Sequence, residues 1–214
     1  GSGSYSATSS SSTPRTVPTI SGQPVLTNAG SGQLLVTWTA PTSNGGSAIT
    51  DYGVERYQYN NGCGCWQSVV DGVSTATTFT DTGLINGQQY FYRVYAINAA
   101  GNGPTSPQSL AEFVVGPTAA PTNVAGTIGN AQVQLTWTAP AANGGTISDY
   151  TIQYSSDSGT TWTTFADTVS ATASVTVTGL TNGTAYVFRV AATNQAGLSA
   201  YSTSSAARTP LGAP

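Results

Sequence analysis

Along most of the chain, apolar and polar residues take turns one by one. Leu34, Val36 and Trp38 alternate with polar neighbours, as do Val133, Leu135 and Trp137. Tyr52 and Val54 follow the same rule, and so do Tyr150, Ile152 and Tyr154. The run Tyr90, Tyr92, Val94, Ala96 has a close match in Tyr186, Phe188, Val190, Ala192. A period of two puts successive side chains on opposite faces of a strand, so each run predicts a strand with one buried face. Clusters of Gly, Pro and Asn separate the runs and supply turn chemistry. No stretch carries a helical period. Short strands at regular spacing predict an all-β chain built from packed antiparallel sheets.

The pattern occurs twice. Val36-Thr-Trp-Thr-Ala-Pro41 returns as Leu135-Thr-Trp-Thr-Ala-Pro140, and Asn44-Gly-Gly46 returns as Asn143-Gly-Gly145. Asp51-Tyr52 reappears as Asp149-Tyr150, and Thr82-Gly-Leu84 as Thr178-Gly-Leu180. Asn86-Gly87, Arg93-Val94, Asn98 and Gly101 reappear as Asn182-Gly183, Arg189-Val190, Asn194 and Gly197. The offset drifts from 99 at Val36 and Leu135 to 96 at Tyr90 and Tyr186, so the copies differ by small loop changes. A repeat of this length predicts two similar domains in tandem.

Each copy resembles a fibronectin type III domain. The matching residues are Trp38 and Trp137 at the second strand, and Tyr52-x-Val54 and Tyr150-x-Ile152 at the third. They continue with a Gly-Leu turn followed six residues after its Leu by Tyr90 or Tyr186, opening a Tyr-x-[Tyr/Phe]-Arg-Val-x-Ala-x-Asn run. The resemblance implies two immunoglobulin-like antiparallel β-sandwiches, with Tyr90 and Tyr186 as tyrosine-corner residues whose hydroxyls bond to backbone near the preceding turn. It says little about function, which such folds carry in sites grafted onto them. No Arg-Gly-Asp occurs, so the integrin-binding motif of some family members is absent. The expected layout is a flexible Ser- and Gly-rich tail over 1–16, a first domain over 17–115 and a second over 117–211. A short Pro-flanked linker over 116–121, Gly116-Pro-Thr-Ala-Ala-Pro121, is expected to be semi-rigid. The ending Thr209-Pro-Leu-Gly-Ala-Pro214 resembles that linker, and a further module is expected beyond it.

Composition narrows the functional classes. Charged residues are 6% of the 214, and the chain has no Lys, His or Met. A typical soluble domain is about one quarter charged. Ser, Thr, Gly, Ala and Asn do the solubilising, which points to an extracellular, cell-surface or virion-surface setting. The net charge of −3 leaves no basic field for nucleic acid. No apolar run reaches the ~20 residues of a membrane-spanning helix, so membrane insertion is not expected.

Catalysis requires a positioned acid, base, nucleophile or metal. Without His or Lys, the candidates are carboxylates. Asp51 and Asp149 share one repeat position and read as turn residues; Glu55, Asp71, Asp81, Glu112, Asp157 and Asp167 are taken as lacking counterparts. No catalytic residue, cofactor or metal site is expected. Cys63 and Cys65, separated by Gly64, lie in a hairpin that the second copy builds without Cys. Two ligands without His are too few for a closed zinc site. Free thiols, a local bridge and bonds to a neighbouring subunit all satisfy the sequence, and a disulfide, local or intermolecular, is the expectation.

The aromatics divide by parity. Trp38, Trp137, Tyr52, Tyr92, Tyr150 and Phe188 point inward and read as core. In the first domain, Tyr57, Tyr59, Phe91, Arg93, Tyr95 and Ile97 point outward, with Glu55 among them. The second domain carries Ser155, Val187, Ala191 and Thr193 at matching outward places. The fold does not require this difference, and a contiguous exposed apolar patch marks a contact surface. The expected function is therefore a non-enzymatic structural or adhesion module, a spacer with a protein- or glycan-contact face. It would serve in self-assembly or against neighbouring subunits of a virion or surface filament. The alternative is a carbohydrate-contacting accessory module of a secreted polysaccharide-degrading enzyme.

Overall fold

The computed structural model describes residues 14–58 and 64–212. Every named element among them is a strand. In the first repeat, β1 (Val25–Gly30), β2 (Gln33–Thr37) and β5 (Thr78–Asp81) form one sheet in the order β1-β2-β5. The facing sheet runs β4-β3-β6-β7, from β3 (Ile49–Gln58), β4 (Gln67–Val69), β6 (Gln89–Asn98) and β7 (Gly101–Asn102), with β8 (Glu112–Phe113) also on β6. The second repeat rebuilds this plan. β9 (Thr122–Gly129), β10 (Gln132–Thr138) and β13 (Ser174–Thr178) make one sheet, with β10 central. β12 (Thr163–Thr164), β11 (Asp149–Ser155), β14 (Val187–Asn194) and β15 (Gly197–Leu198) make the other. The fold is all-β, two antiparallel sandwiches in tandem.

The inward residues are those that the alternation selects. Leu34, Val36, Trp38, Tyr52, Val54, Tyr90, Tyr92, Val94 and Ala96 are buried in the first sandwich. Val133, Leu135, Trp137, Tyr150, Ile152, Phe188 and Val190 are buried in the second. Trp38 meets Tyr52 edge-on at 5.3 Å, and Trp137 meets Tyr150 at 4.9 Å. The Thr181 backbone N–H donates to the Tyr186 hydroxyl at 3.2 Å, which ties the start of β14 to the Gly179-Leu180 turn. Tyr90 is buried at the matching place, beneath the Arg56 guanidinium at 5.8 Å.

Repeated asparagines hold the loops. Asn98 donates to the carbonyls of Thr16 (2.8 Å) and Asn44 (2.7 Å), and Asn194 donates to those of Gly116 (2.8 Å) and Ala142 (3.1 Å). Backbone bonds from Thr16 to Gly45 and from Gly116 to Asn143 complete each clamp. Thr16 therefore belongs to the first sandwich and not to a flexible tail, whose first thirteen residues lie outside the described set. Gly116, expected in the linker, is clamped in the same way by the second repeat.

The segment after β7 or β15 departs from strand periodicity. Ser199, Ser202 and Ser205 donate their N–H groups to the carbonyls of Ala192, Val190 and Phe188, each at 2.8 Å. Their hydroxyls accept the N–H groups of the same three residues at 2.9, 3.0 and 3.1 Å. Every third residue thus satisfies both backbone groups of every second residue on β14. Ser106 and Ser109 do this for Val94 and Tyr92 on β6. A side-chain oxygen replaces the ladder carbonyl, so no buried N–H is left unpaired at these steps.

One core position is solved in two ways. In the first sandwich Arg56 lies on the inward parity of β3 and pairs with buried Asp81 at 2.8 Å, and the Tyr92 hydroxyl donates to the same carboxylate oxygen at 2.7 Å. The second sandwich carries Tyr154, Val177 and Phe188 at these places, and Tyr154 packs on Tyr186 at 5.9 Å. Burial, reinforced by the Asp81 carboxylate, pushes the Tyr92 hydroxyl far above its ordinary value. Removing one member of a buried ion pair strands the other, whereas replacing the whole group by packed apolar residues is often neutral or better. Asp81→Ala is therefore expected to lower the first sandwich's stability by about 3 kcal/mol. The triple variant Arg56→Tyr, Asp81→Val, Tyr92→Phe should return to within about 1 kcal/mol of wild type or exceed it. Calorimetry of the full chain reads both. Because Tyr92 resists ionisation only when folded, its contribution is present below pH ~10 and is lost as pH rises beyond it. Tyr92→Phe should flatten that alkaline decline.

Candidate contact surface

The register of β3 against β6 builds the outward face in rows. Gly53 pairs with Tyr95, Glu55 with Arg93 and Tyr57 with Phe91. In the second sandwich the equivalent pairs are Thr151–Ala191, Gln153–Arg189 and Ser155–Val187. The Tyr57 ring lies 6.0 Å from Phe91 and 5.7 Å from Trp66, which immediately precedes β4. Arg93 donates through Nε to Glu55 at 2.5 Å and lays its guanidinium 4.5 Å from the Trp66 ring. Tyr57, Trp66, Phe91 and Gln108 line a cleft of about 260 Å³. Tyr57, Phe91, Arg93, Tyr95 and Ile97 are all half-buried. Tyr59 and Cys63 lie outside the described residues, and Cys65 is disulfide-bonded.

Trp66 joins this cluster although parity alone did not nominate it, because it stands in the hairpin loop just before β4, where no alternation runs. Tyr95 has a different character. A Cβ on Gly53 would fall within the Tyr95 ring, so that ring lies flat across the glycine of the neighbouring strand. The second sandwich exchanges large and small here, with Thr151 opposite Ala191. Tyr95 therefore covers a gap in its own sheet, as aromatic residues do over strand glycines.

The matching face of the second sandwich differs from expectation. Ser155 and Ala191 are 3% and 0% exposed, so neither is an open surface position. The Ser155 hydroxyl donates to Asp157 at 2.6 Å and accepts the Gly159 N–H at 2.8 Å, closing the β11–β12 hairpin. Thr161 donates to the same carboxylate from its N–H (2.9 Å) and its hydroxyl (2.6 Å). Bonds from Ser155 and Thr161 lower the Asp157 carboxyl to about 2. Arg189 is held by Gln153 through two hydrogen bonds of 2.8 and 2.6 Å, and stacks on Trp162 at 4.1 Å and on Tyr201 at 4.4 Å. Tyr201 lies in the serine-docked segment, where a period of three hides it from a search for alternation.

The carboxylates also correct an expectation. Asp71 has a counterpart in Asp167, and each lies near the repeated Asp51 or Asp149. Burial raises the Asp71 and Asp167 carboxyls, with a smaller push from the neighbouring aspartate. Asp51 accepts the N–H groups of Tyr52 and Ser74, and Asp149 that of Ser170, which are turn roles. Among the described residues no group of three His, Cys, Asp or Glu side chains is placed to hold a metal ion.

Paired three- and four- or five-stranded sheets, each sandwich with a buried Trp in or just after its inner strand and a tyrosine at the start of β6 or β14, define the class of immunoglobulin-like modules. The family model described as Fibronectin type III domain matches residues 18–112 and 119–208, and the chain belongs to that family. Cardiac-type myosin-binding protein C of Rattus norvegicus is 28% identical over 183 residues, 85% of this chain and 14% of that protein. A titin homolog of Caenorhabditis elegans is 28% identical over 200 residues, 88% of this chain and 1% of that protein. The chain thus spans at most about a seventh of these relatives. The solved structure of domains A168-A170 from titin superposes with a TM-score of 0.55 at 21% identity, covering 91% of this chain and 61% of that one, a likeness of fold.

The Gly53–Tyr95 packing has a direct test. Gly53→Thr alone should destabilise the first sandwich by about 1–3 kcal/mol, the usual cost of overpacking. Adding Tyr95→Ala, which copies the second sandwich, should recover most of it. A double-mutant cycle by urea unfolding measures this coupling.

Proposed function

We propose that the chain is a non-catalytic spacer and protein-contact module on the outside of a cell or particle, serving within a larger assembly such as a surface filament or a virion. The observation that carries the reading is the ring cluster of Tyr57, Trp66 and Phe91 on the first sandwich. The second sandwich puts Ser155 and Val187 where Tyr57 and Phe91 stand. A fold repeated twice has no structural need for rings at these two places on one copy and not on the other. Tyr, Trp, Phe and Arg are enriched in the cores of protein interfaces. The likeness to a protein named for binding myosin supports a protein partner here too. A chain without His or Lys lacks the common catalytic bases, which supports a non-catalytic role. The outside location rests on the scarcity of charge. Glycan contact, as in an accessory module of a polysaccharide-degrading enzyme, is the second reading, favoured by the flat faces of Tyr57 and Trp66.

Tyr57→Ser with Phe91→Ser is the variant that tests the contact face, with Val187→Ser as its counterpart on the second sandwich. Sedimentation and co-purification with surface proteins of the source should show loss of association in the first variant alone, with its circular dichroism retained. Equal association in both variants would sink the reading, and loss of binding to neutral polysaccharide only would move it to the glycan alternative.

A further inference from the structure

We propose that the first sandwich receives an aromatic side chain from a protein partner against Arg93, at the place which the second sandwich fills from its own chain. This rests on the contact reading of the same face and names what the face takes. The repeat supplies the template. Arg189 has two rings on its guanidinium, Trp162 at 4.1 Å and Tyr201 at 4.4 Å. Arg93 has one among the described residues, Trp66 at 4.5 Å. The serine docking fixes which residue corresponds to Tyr201. Ser202 accepts the Val190 N–H and Ser106 accepts the Val94 N–H, each at 3.0 Å. The residues just before these serines, Tyr201 and Thr105, therefore hold the same place. Thr105 is exposed and has no ring to stack.

Arg93 is otherwise prepared as Arg189 is. Glu55 holds its Nε as Gln153 holds that of Arg189, and its side chain stays 30% exposed. A guanidinium fixed by a hydrogen bond and backed by one ring attracts the face of another. A cleft lined by Tyr57, Trp66, Phe91 and Gln108 shares Trp66 with the Arg93 stack and extends the same face. The Arg93–Glu55 pair leaves the place without net charge, so the occupant is a neutral ring, of the tyrosine or phenylalanine kind, carried on a protein partner.

The test is a titration of the full chain, labelled with nitrogen-15, with N-acetyltyrosinamide, using N-acetylalaninamide as control. The Arg93 Nε–H and Trp66 indole N–H signals should shift with the aromatic probe only, while those of Arg189 and Trp162 stay fixed. Thr105→Tyr supplies the missing ring from within and should weaken the titration about tenfold or more, equivalent to about 1.4 kcal/mol. Arg93→Leu should do the same by removing the guanidinium. Absent shifts, equal shifts on both sandwiches, or an unchanged titration in both variants would overturn the proposal. Shifts with cellohexaose in place of the tyrosine derivative would also overturn it. If the probe fails while Tyr57→Ser with Phe91→Ser still abolishes association, the aromatic occupant is wrong and the contact face stands. If both fail, the face itself is wrong.

Discussion

The register between β3 and β6 is the constraint on which the first sandwich depends. It sends Tyr52, Val54 and Arg56 inward opposite Ala96, Val94 and Tyr92, and it sends Gly53, Glu55 and Tyr57 outward opposite Tyr95, Arg93 and Phe91. A slip by one residue would exchange core and surface along the whole strand pair. Several independent contacts oppose that slip. The Asn98 clamp fixes one end of β6, the Tyr95 ring fits only over a glycine, and Arg56 must meet Asp81. Core and contact face are thus two sides of one pairing.

The two sandwiches answer the same constraint with different chemistry. The inner group Arg56, Asp81 and Tyr92 becomes Tyr154, Val177 and Phe188, and the outer pair Gly53–Tyr95 becomes Thr151–Ala191. In each case the change on one strand is matched by a change on its neighbour. The half-buried ion pair is poor evidence of extra stability, since desolvation, chiefly of Asp81, offsets most of its attraction. What it adds is a penalty on misplacement. An apolar strand tolerates a shifted neighbour better than one that must seat a guanidinium on a carboxylate.

Strand positions, the repeat and most of the core were legible because a two-residue period reports burial directly. Tyr57, Phe91, Arg93 and Glu55 were legible as a group for the same reason, once β3 and β6 were taken as neighbours. Ser155 and Ala191 were misread as open because parity tells which face a residue is on and not what covers it. Ser155 spends its hydroxyl on the hairpin, and Ala191 is too small to reach past its neighbours. Arg56 and Asp81 both fall on inward parity, a signal present in the sequence and overlooked because charged residues are seldom read as core. The Asp71–Asp167 correspondence was hidden by the drift in offset across the hairpins.

Tyr201 and Thr105 were out of reach for a deeper reason. The serine-docked segments pair every third residue with every second residue of β6 or β14, so neither a strand nor a helix period describes them. Their serines are fixed by two backbone bonds each, while the two residues between successive serines make no ladder bond of this kind. Those intervening places can change without disturbing the sheet. They lie beside the arginine row, which the register holds constant in both sandwiches. A segment that is rigid at every third residue and free between is suited to carrying differences in recognition. The exchange of Tyr201 for Thr105 falls next to that row, where one sandwich stacks two rings on its arginine and the other, among the described residues, stacks one.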